Sequence, residues 1–198
     1  MTSDDLRFDP RAILEILRRH DVRFLVVGGI AGRLHGSARM TEDLDICYSR
    51  TTDDLDRLAA ALAELDISLR GADPGLPFRP DARTLRSGLN FTFDTRYGPF
   101  DCLGEASGYT YEVLVPNAER AQLDGLDVLD VLVVSLDDLI RMKRAAGRPQ
   151  DIADVEILSK LREVRERMGL YGLAEPPSPP VPSGRGPRSR ARGALPRG

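Results

Sequence analysis

The sequence predicts a mixed α/β fold of the α+β kind, a largely hairpin-connected sheet flanked by helices. Three observations carry that prediction. Short, continuous apolar runs at residues 24–27 and 44–48 have the length and composition of buried strands. The segments RAILEILRRH and TTDDLDRLAAALAEL space their apolar residues at helical intervals. LNFTFDT and PFDCLG lie on either side of an RYG turn and read as a β-hairpin.

In chain order, Asp9-Pro10 supplies the N-cap and first position of a helix on which Ile13, Leu14, Ile16 and Leu17 form one stripe. A buried strand follows at residues 24–27, and Gly28-Gly29 opens a helix of small residues from Ile30 to about Leu34. Leu44 to Tyr48 is the second strand, and Thr51 or Thr52 caps the amphipathic helix after it. Residues 71–86, with Gly, Pro and Arg, read as a loop before the hairpin. Two short strands are expected at 111–115 and 126–134. A C-terminal helical pair closes the domain. Its first helix starts at Ser135, where Ser-Leu-Asp-Asp resembles a capping box, and its second runs from Pro149 to about Met168.

At 198 residues, 41% hydrophobic and 30% charged, the chain has the size and composition of one globular domain. Residues 1–173 are expected to form it, with a net charge of −7 from 23 basic and 30 acidic residues. Residues 174–198 form a Pro/Arg-rich tail with five arginines and one acid, expected to be disordered because it has few large apolar side chains. The tail reads either as a weak grip on nucleic-acid phosphates or as a solvated low-complexity end. No apolar stretch is long enough to span a bilayer, so no membrane partner is expected. The acidic start MTSDDLRFDP is unlike a secretory signal, and Cys47 and Cys102 form no CxxC pair. Buried free thiols and a cytoplasmic location are the expectation.

Chemistry concentrates in residues 25–46, LVVGGIAGRLHGSARMTEDLDI. Asp43 and Asp45 are two apart on a strand and therefore share a face. Two carboxylates there repel each other and resist burial, a conflict relieved by solvent, by cations or by a hard divalent metal. Alternate acids on a half-exposed strand are common, so the pair alone fits either a solvated edge or a metal site. Gly28-Gly29 allows close approach to the backbone at a helix start, which suits phosphate, and also serves as an ordinary tight turn. A third acid, Asp101, sits in the apolar PFDCL strand. Asp94 competes with it, but lies next to the hairpin turn, where an acid is expected for other reasons.

Gly28-Gly29, Asp43-Leu44-Asp45 and Asp101 together resemble the signature of the DNA polymerase β-type nucleotidyltransferase superfamily. GGIAGRLHGSARMTEDLDI, with Arg39 and Thr41 ahead of the acids, is similar to the AbiEii-type minimal nucleotidyltransferases, a group that includes toxins of type IV toxin–antitoxin systems. SLDDLIRMKRAAGRPQDIADVEIL resembles a second motif of that group, and the resemblance spans residues 10 to 165. It implies a nucleotidyltransferase-type mixed sheet and transfer of a nucleoside monophosphate from a nucleoside triphosphate, ATP among the candidates. Asp43, Asp45 and Asp101 would hold Mg²⁺ or Mn²⁺, with Asp101 helping to deprotonate the acceptor hydroxyl. Gly28 and Gly29 would cradle the triphosphate, and Lys143 would meet its phosphates. Arg39 would assist, or lock its loop to an acid. Gln150 stands where the group usually has a second basic residue, which removes one charge.

Plainer readings accompany these roles. Lys143, Arg144 and Arg148 also fit a solvated helix end. Asp151 reads as a helix N-terminal acid, Asp154 as a partner that orients Lys143, His35 as a satisfied structural histidine, and His20 as a helix end with no site role. The acceptor implied by the toxin-like resemblance is an RNA 3′ end, tRNA in particular, with a cognate antitoxin as protein partner. A protein hydroxyl or a small-molecule antibiotic would use the same chemistry, although no separate acidic substrate domain follows the core. A catalytically silent nucleotide-binding module is the remaining alternative, disfavoured because it has no reason to keep three mutually repelling carboxylates. A purely structural domain would leave the three acids apart.

Overall fold

The computed structural model describes residues 8–73, 78–123 and 129–169. The tail from 174 onward lies outside the described residues.

The first half runs α1 (Pro10–Arg19), β1 (Phe24–Val27), α2 (Gly28–Leu34), β2 (Leu44–Tyr48), α3 (Thr52–Glu64) and β3 (Ser68–Leu69). The second half runs α4 (Ala82–Ser87), β4 (Asn90–Thr95), β5 (Gly98–Leu103), β6 (Glu105–Ala106), β7 (Tyr109–Thr110), α5 (Tyr111–Leu114), a 3₁₀ turn (Val115–Asn117), β8 (Glu119–Leu123), β9 (Leu129–Val133), α6 (Leu136–Ala146) and α7 (Pro149–Arg167). Side chains set most helix starts. The Asp9 carboxylate accepts from Ala12 N–H, and the Thr51 and Ser135 hydroxyls accept from Asp54 and Asp138 N–H. Gly147, at φ +63°, ends α6 in the left-handed conformation that a side chain would strain.

Among the described residues, seven strands form one mixed sheet in the order β3-β4-β5-β2-β1-β9-β8, and β6 pairs with β7 separately. The hairpin expectation holds at the flanks and fails at the centre. β4–β5 and β8–β9 are antiparallel neighbours in sequence, but β2 meets β5 and β1 meets β9 in parallel. Parallel central strands are buried on both faces; β1, a continuous apolar run, and β2, an apolar run broken only by Asp45, each have one parallel neighbour and are antiparallel to each other. Leu25, Val26, Leu44, Ile46, Cys47 and Tyr48 are all fully buried.

Three local expectations are corrected. Residues 111–115 form a helix and the start of a 3₁₀ turn, because Tyr111 and Leu114 bury themselves at helical spacing and Pro116 cannot donate to a ladder. The strand expected there lies at β8 instead. Asp81 caps α4 inside the expected loop, accepting from Thr84 N–H at 2.7 Å, while Leu85 packs into the core. Gly28 and Gly29 are themselves the first turn of α2 rather than the turn before it. The strand expected at 126–134 is described only over β9. Cys47 and Cys102 are buried free thiols, and no described helix is long and apolar enough to cross a membrane.

Candidate active site

The sheet register builds the site. Val27 pairs with Asp45, Asp45 with Asp101, and Asp101 with Thr92, which puts one row of side chains across four strands. Asp43 lies two residues ahead of Asp45, on the same face. One carboxylate oxygen from each of Asp43, Asp45 and Asp101 lies within 4.8 Å of the other two. The separation expected of a purely structural domain is therefore absent. Asp94, the competing acid, is outside this cluster and pairs with Arg70 at 3.2 Å.

The cluster is poorly neutralised. Burial, then repulsion from Asp43 and Asp101, pushes the Asp45 carboxyl up to about 7, against the hydrogen bond from the Gly29 backbone and the charge of Lys143. Burial, aided by Asp43 and Asp94, also raises Asp101 in spite of Arg70. Arg70 Nη2 stands 3.1 Å from Asp101 Oδ1, yet that buried oxygen receives no hydrogen bond in good geometry. Thr41 Oγ1 donates to Asp43 Oδ1 at 2.5 Å and holds the outer acid.

The glycines make room for this arrangement. Gly28 has φ +63°, and a Cβ there would run into the Asp45 carboxylate. A Cβ on Gly29 would lie 2.7 Å from Thr41 Cβ. α2 has only seven residues, so close approach of the backbone, rather than a helix dipole, is what these glycines offer.

Facing the acids is a second charged cluster on α6 and α7. Lys143 Nζ bonds Asp154 Oδ2 at 2.6 Å and Asp151 Oδ1 at 3.4 Å. Arg39 Nη1 reaches Asp154 Oδ1 at 2.6 Å, so Arg39 locks its loop to an acid. Arg148 Nε donates to Asp151 Oδ2 at 2.7 Å, and the Arg148 backbone N–H donates to the same oxygen at 3.3 Å at the start of α7. Burial alone would raise both acids, but hydrogen bonds from Arg148 to Asp151, and from Arg39 and Lys143 to Asp154, outweigh it and hold both below the ordinary carboxylate range.

All the sequence-expected site residues (Gly28, Gly29, Arg39, Thr41, Asp43, Asp45, Asp101 and Lys143) line one cleft, joined there by Arg148 and Gln150. His35 stays outside it, buried, with Nε2 at 2.7 Å from Val134 O, the satisfied structural histidine expected. Arg70 has no place in the sequence analysis, and Arg148, read there as part of a solvated helix end, belongs to the cleft. Arg148 sits in the GRPQD motif, where its neighbour Gln150 drew attention to a missing charge. Arg70 carries no local signal, since only a strand pairing places it.

A family profile described as "Nucleotidyltransferase of unknown function (DUF6036)" matches residues 9–165. The chain belongs to this family of nucleotidyltransferases. The match covers every residue of the DUF6036 cleft named above and both clusters that line it. No curated protein matches the sequence. Similar solved structures include the lincosamide antibiotic adenylyltransferase LnuA with lincomycin bound, at 13% identity, covering 78% of this chain and 99% of that one with a TM-score of 0.49. The antibiotic-resistance factor ANT(2'')-Ia is 15% identical, with 80% and 90% covered and a TM-score of 0.45. A Thermotoga maritima protein assigned as a nucleotidyltransferase is 15% identical, with 79% and 90% covered and a TM-score of 0.46. Likenesses this distant carry no argument about the DUF6036 site or its substrate.

Proposed function

We propose that Asp43, Asp45 and Asp101 are the catalytic, metal-holding acids of a transferase that moves a nucleoside monophosphate from a nucleoside triphosphate to the 3′ hydroxyl of an RNA, tRNA in particular. The observation that carries this reading is the convergence of three under-neutralised carboxylates, within 4.8 Å of one another, in a cleft with cations on its other wall. The donor set fits hard divalent cations: three carboxylates, one of whose buried oxygens receives no hydrogen bond. Mg²⁺ or Mn²⁺ at these acids would neutralise the phosphates and lower the pKa of the acceptor hydroxyl.

The chain's own residues do the positioning. Gly28 and Gly29 let the triphosphate lie against the backbone, and Lys143 and Arg148 face it from α6 and α7. Arg39 and Thr41 hold the loop and the outer acid in place. The acceptor oxygen attacks the α-phosphorus, the bond to the bridging oxygen breaks, and pyrophosphate leaves with that electron pair. Asp101 takes the hydroxyl proton.

RNA as the acceptor rests on the toxin-like motif and on the open, cationic rim. The Arg148 side chain is 64% exposed, and Met40 beside Arg39 is 73% exposed, so the rim offers surface to a large acceptor. A protein partner that covers this rim would act as an antitoxin. The test is incubation with each α-³²P-labelled nucleoside triphosphate, Mg²⁺ and total tRNA, with Asp45→Asn as control. Label on RNA that the variant loses supports the reading. Label on the protein, or on an added aminoglycoside or lincosamide, replaces the acceptor, and label nowhere sinks it.

A further inference from the structure

Arg70 extends the row of acids by one strand. Its backbone N–H donates to Thr92 O at 3.0 Å, and Thr92 pairs with Asp101, which pairs with Asp45. Thr92 is short, so the guanidinium reaches over it to Asp101 Oδ1 at 3.1 Å. The same side chain contacts Asp94 Oδ1 at 3.2 Å and donates to Phe93 O at 2.7 Å. Arg70 is thus shared between an acid of the site and an acid outside it. Asp94 is 53% exposed and Asp101 17% exposed, so one of its two partners is in solvent and the other in the cleft.

Resting on the reading above that the three acids hold metal, we propose that Arg70 is a positioning residue that stands in for a divalent cation at Asp101. It keeps the metal-free cluster from carrying three uncompensated charges. When a cation enters with the nucleotide, the guanidinium gives up Asp101 and stays on Asp94 and Phe93 O. The exchange breaks a single ion pair, because the resting place is already occupied. Cation binding at Asp101 is thereby made competitive with a group of the protein itself.

Mn²⁺ titration followed by electron paramagnetic resonance, without nucleotide, tests this. Arg70→Gln is expected to bind Mn²⁺ at least about tenfold more tightly than the parent, the size of effect one neighbouring charge has on an ionising group. Arg70→Lys keeps the charge but cannot span both acids, and should fall between. Asp94→Asn removes the resting place and should weaken binding. In the Arg70→Gln background the same Asp94→Asn change should have no effect. Unchanged or weaker binding in Arg70→Gln overturns the proposal. So does an Asp94→Asn effect of equal size in both backgrounds, since that is general electrostatics. Asp45→Asn separates the two levels: if it binds Mn²⁺ as well as the parent, the metal reading itself fails.

Discussion

Two charged clusters face each other across the cleft, and their carboxylates move in opposite directions. On the sheet, Asp45 and Asp101 are raised by burial and by neighbouring carboxylates, Asp43 acting on both. On the helical wall, Asp151 and Asp154 are buried just as well, yet are held low by Arg148, Arg39 and Lys143. A buried charge that is fully paired is architecture, and it fixes where α7 meets α6 and the loop before β2. A buried charge left short of partners is one that a bound cation would complete. The difference lies in the partners.

The largest effect expected from breaking this contrast is on activity. Asp45→Asn should lower nucleotidyl transfer by about 10³-fold or more, the rate equivalent of several kcal/mol of lost metal stabilisation. The same change should raise the melting temperature of the metal-free protein, because it removes a repelled charge. Next comes Asp151→Asn on the opposite wall. Its side chain is fully buried between Lys143 and Arg148, so loss of its charge should cost about 3 kcal/mol. That corresponds to roughly 6–12 °C in a thermal melt of a domain this size. A smaller effect is expected of Thr41→Val, which frees Asp43 from its hydrogen bond and should weaken Mn²⁺ binding by about tenfold with little change in stability.

The subtlest comparison is in pH. Asp45 has a folded pKa of about 7, above its ordinary value, so its contribution to metal-free stability is full below about pH 4 and fades as pH rises through 7. Asp151 and Asp154 have lowered folded values, so theirs is present above about pH 4 and fades as pH falls through the folded pKa. Melts of the metal-free parent against Asp45→Asn should diverge between pH 4 and 7. Melts against Asp154→Asn should converge on the acid side. Saturating Mg²⁺ should flatten the first difference and leave the second.

How much of this was readable beforehand follows the range of the interactions. Asp43 and Asp45 declare themselves through an alternation two residues long, and the buried strands around them through continuous apolar runs. Asp101 was preferred over Asp94 on turn context alone, and the register brings Asp101, not Asp94, beside Asp45. The Lys143–Asp154 pair was legible from helix spacing, and the Arg39 lock only as one of two roles that the resemblance left open. The central parallel pairings were not, since no local pattern states which distant strand an apolar run will meet. β3 is two residues long, too short to carry a period, and with it the place of Arg70 was hidden. The helix at 111–114 was mistaken for a strand because four apolar or aromatic residues in five fit either period.

The parallel pairing of β1 with β9 has one further consequence, for synthesis. Val26 meets Val133, and Lys143 and Asp154 close the cleft from still later in the chain. Contacts that span so much sequence form late and slowly. A growing chain that has produced the glycines and all three acids still has no cationic wall opposite them. The two walls of the cleft are thus made in sequence, and the cleft is complete only once α6 and α7 have been added.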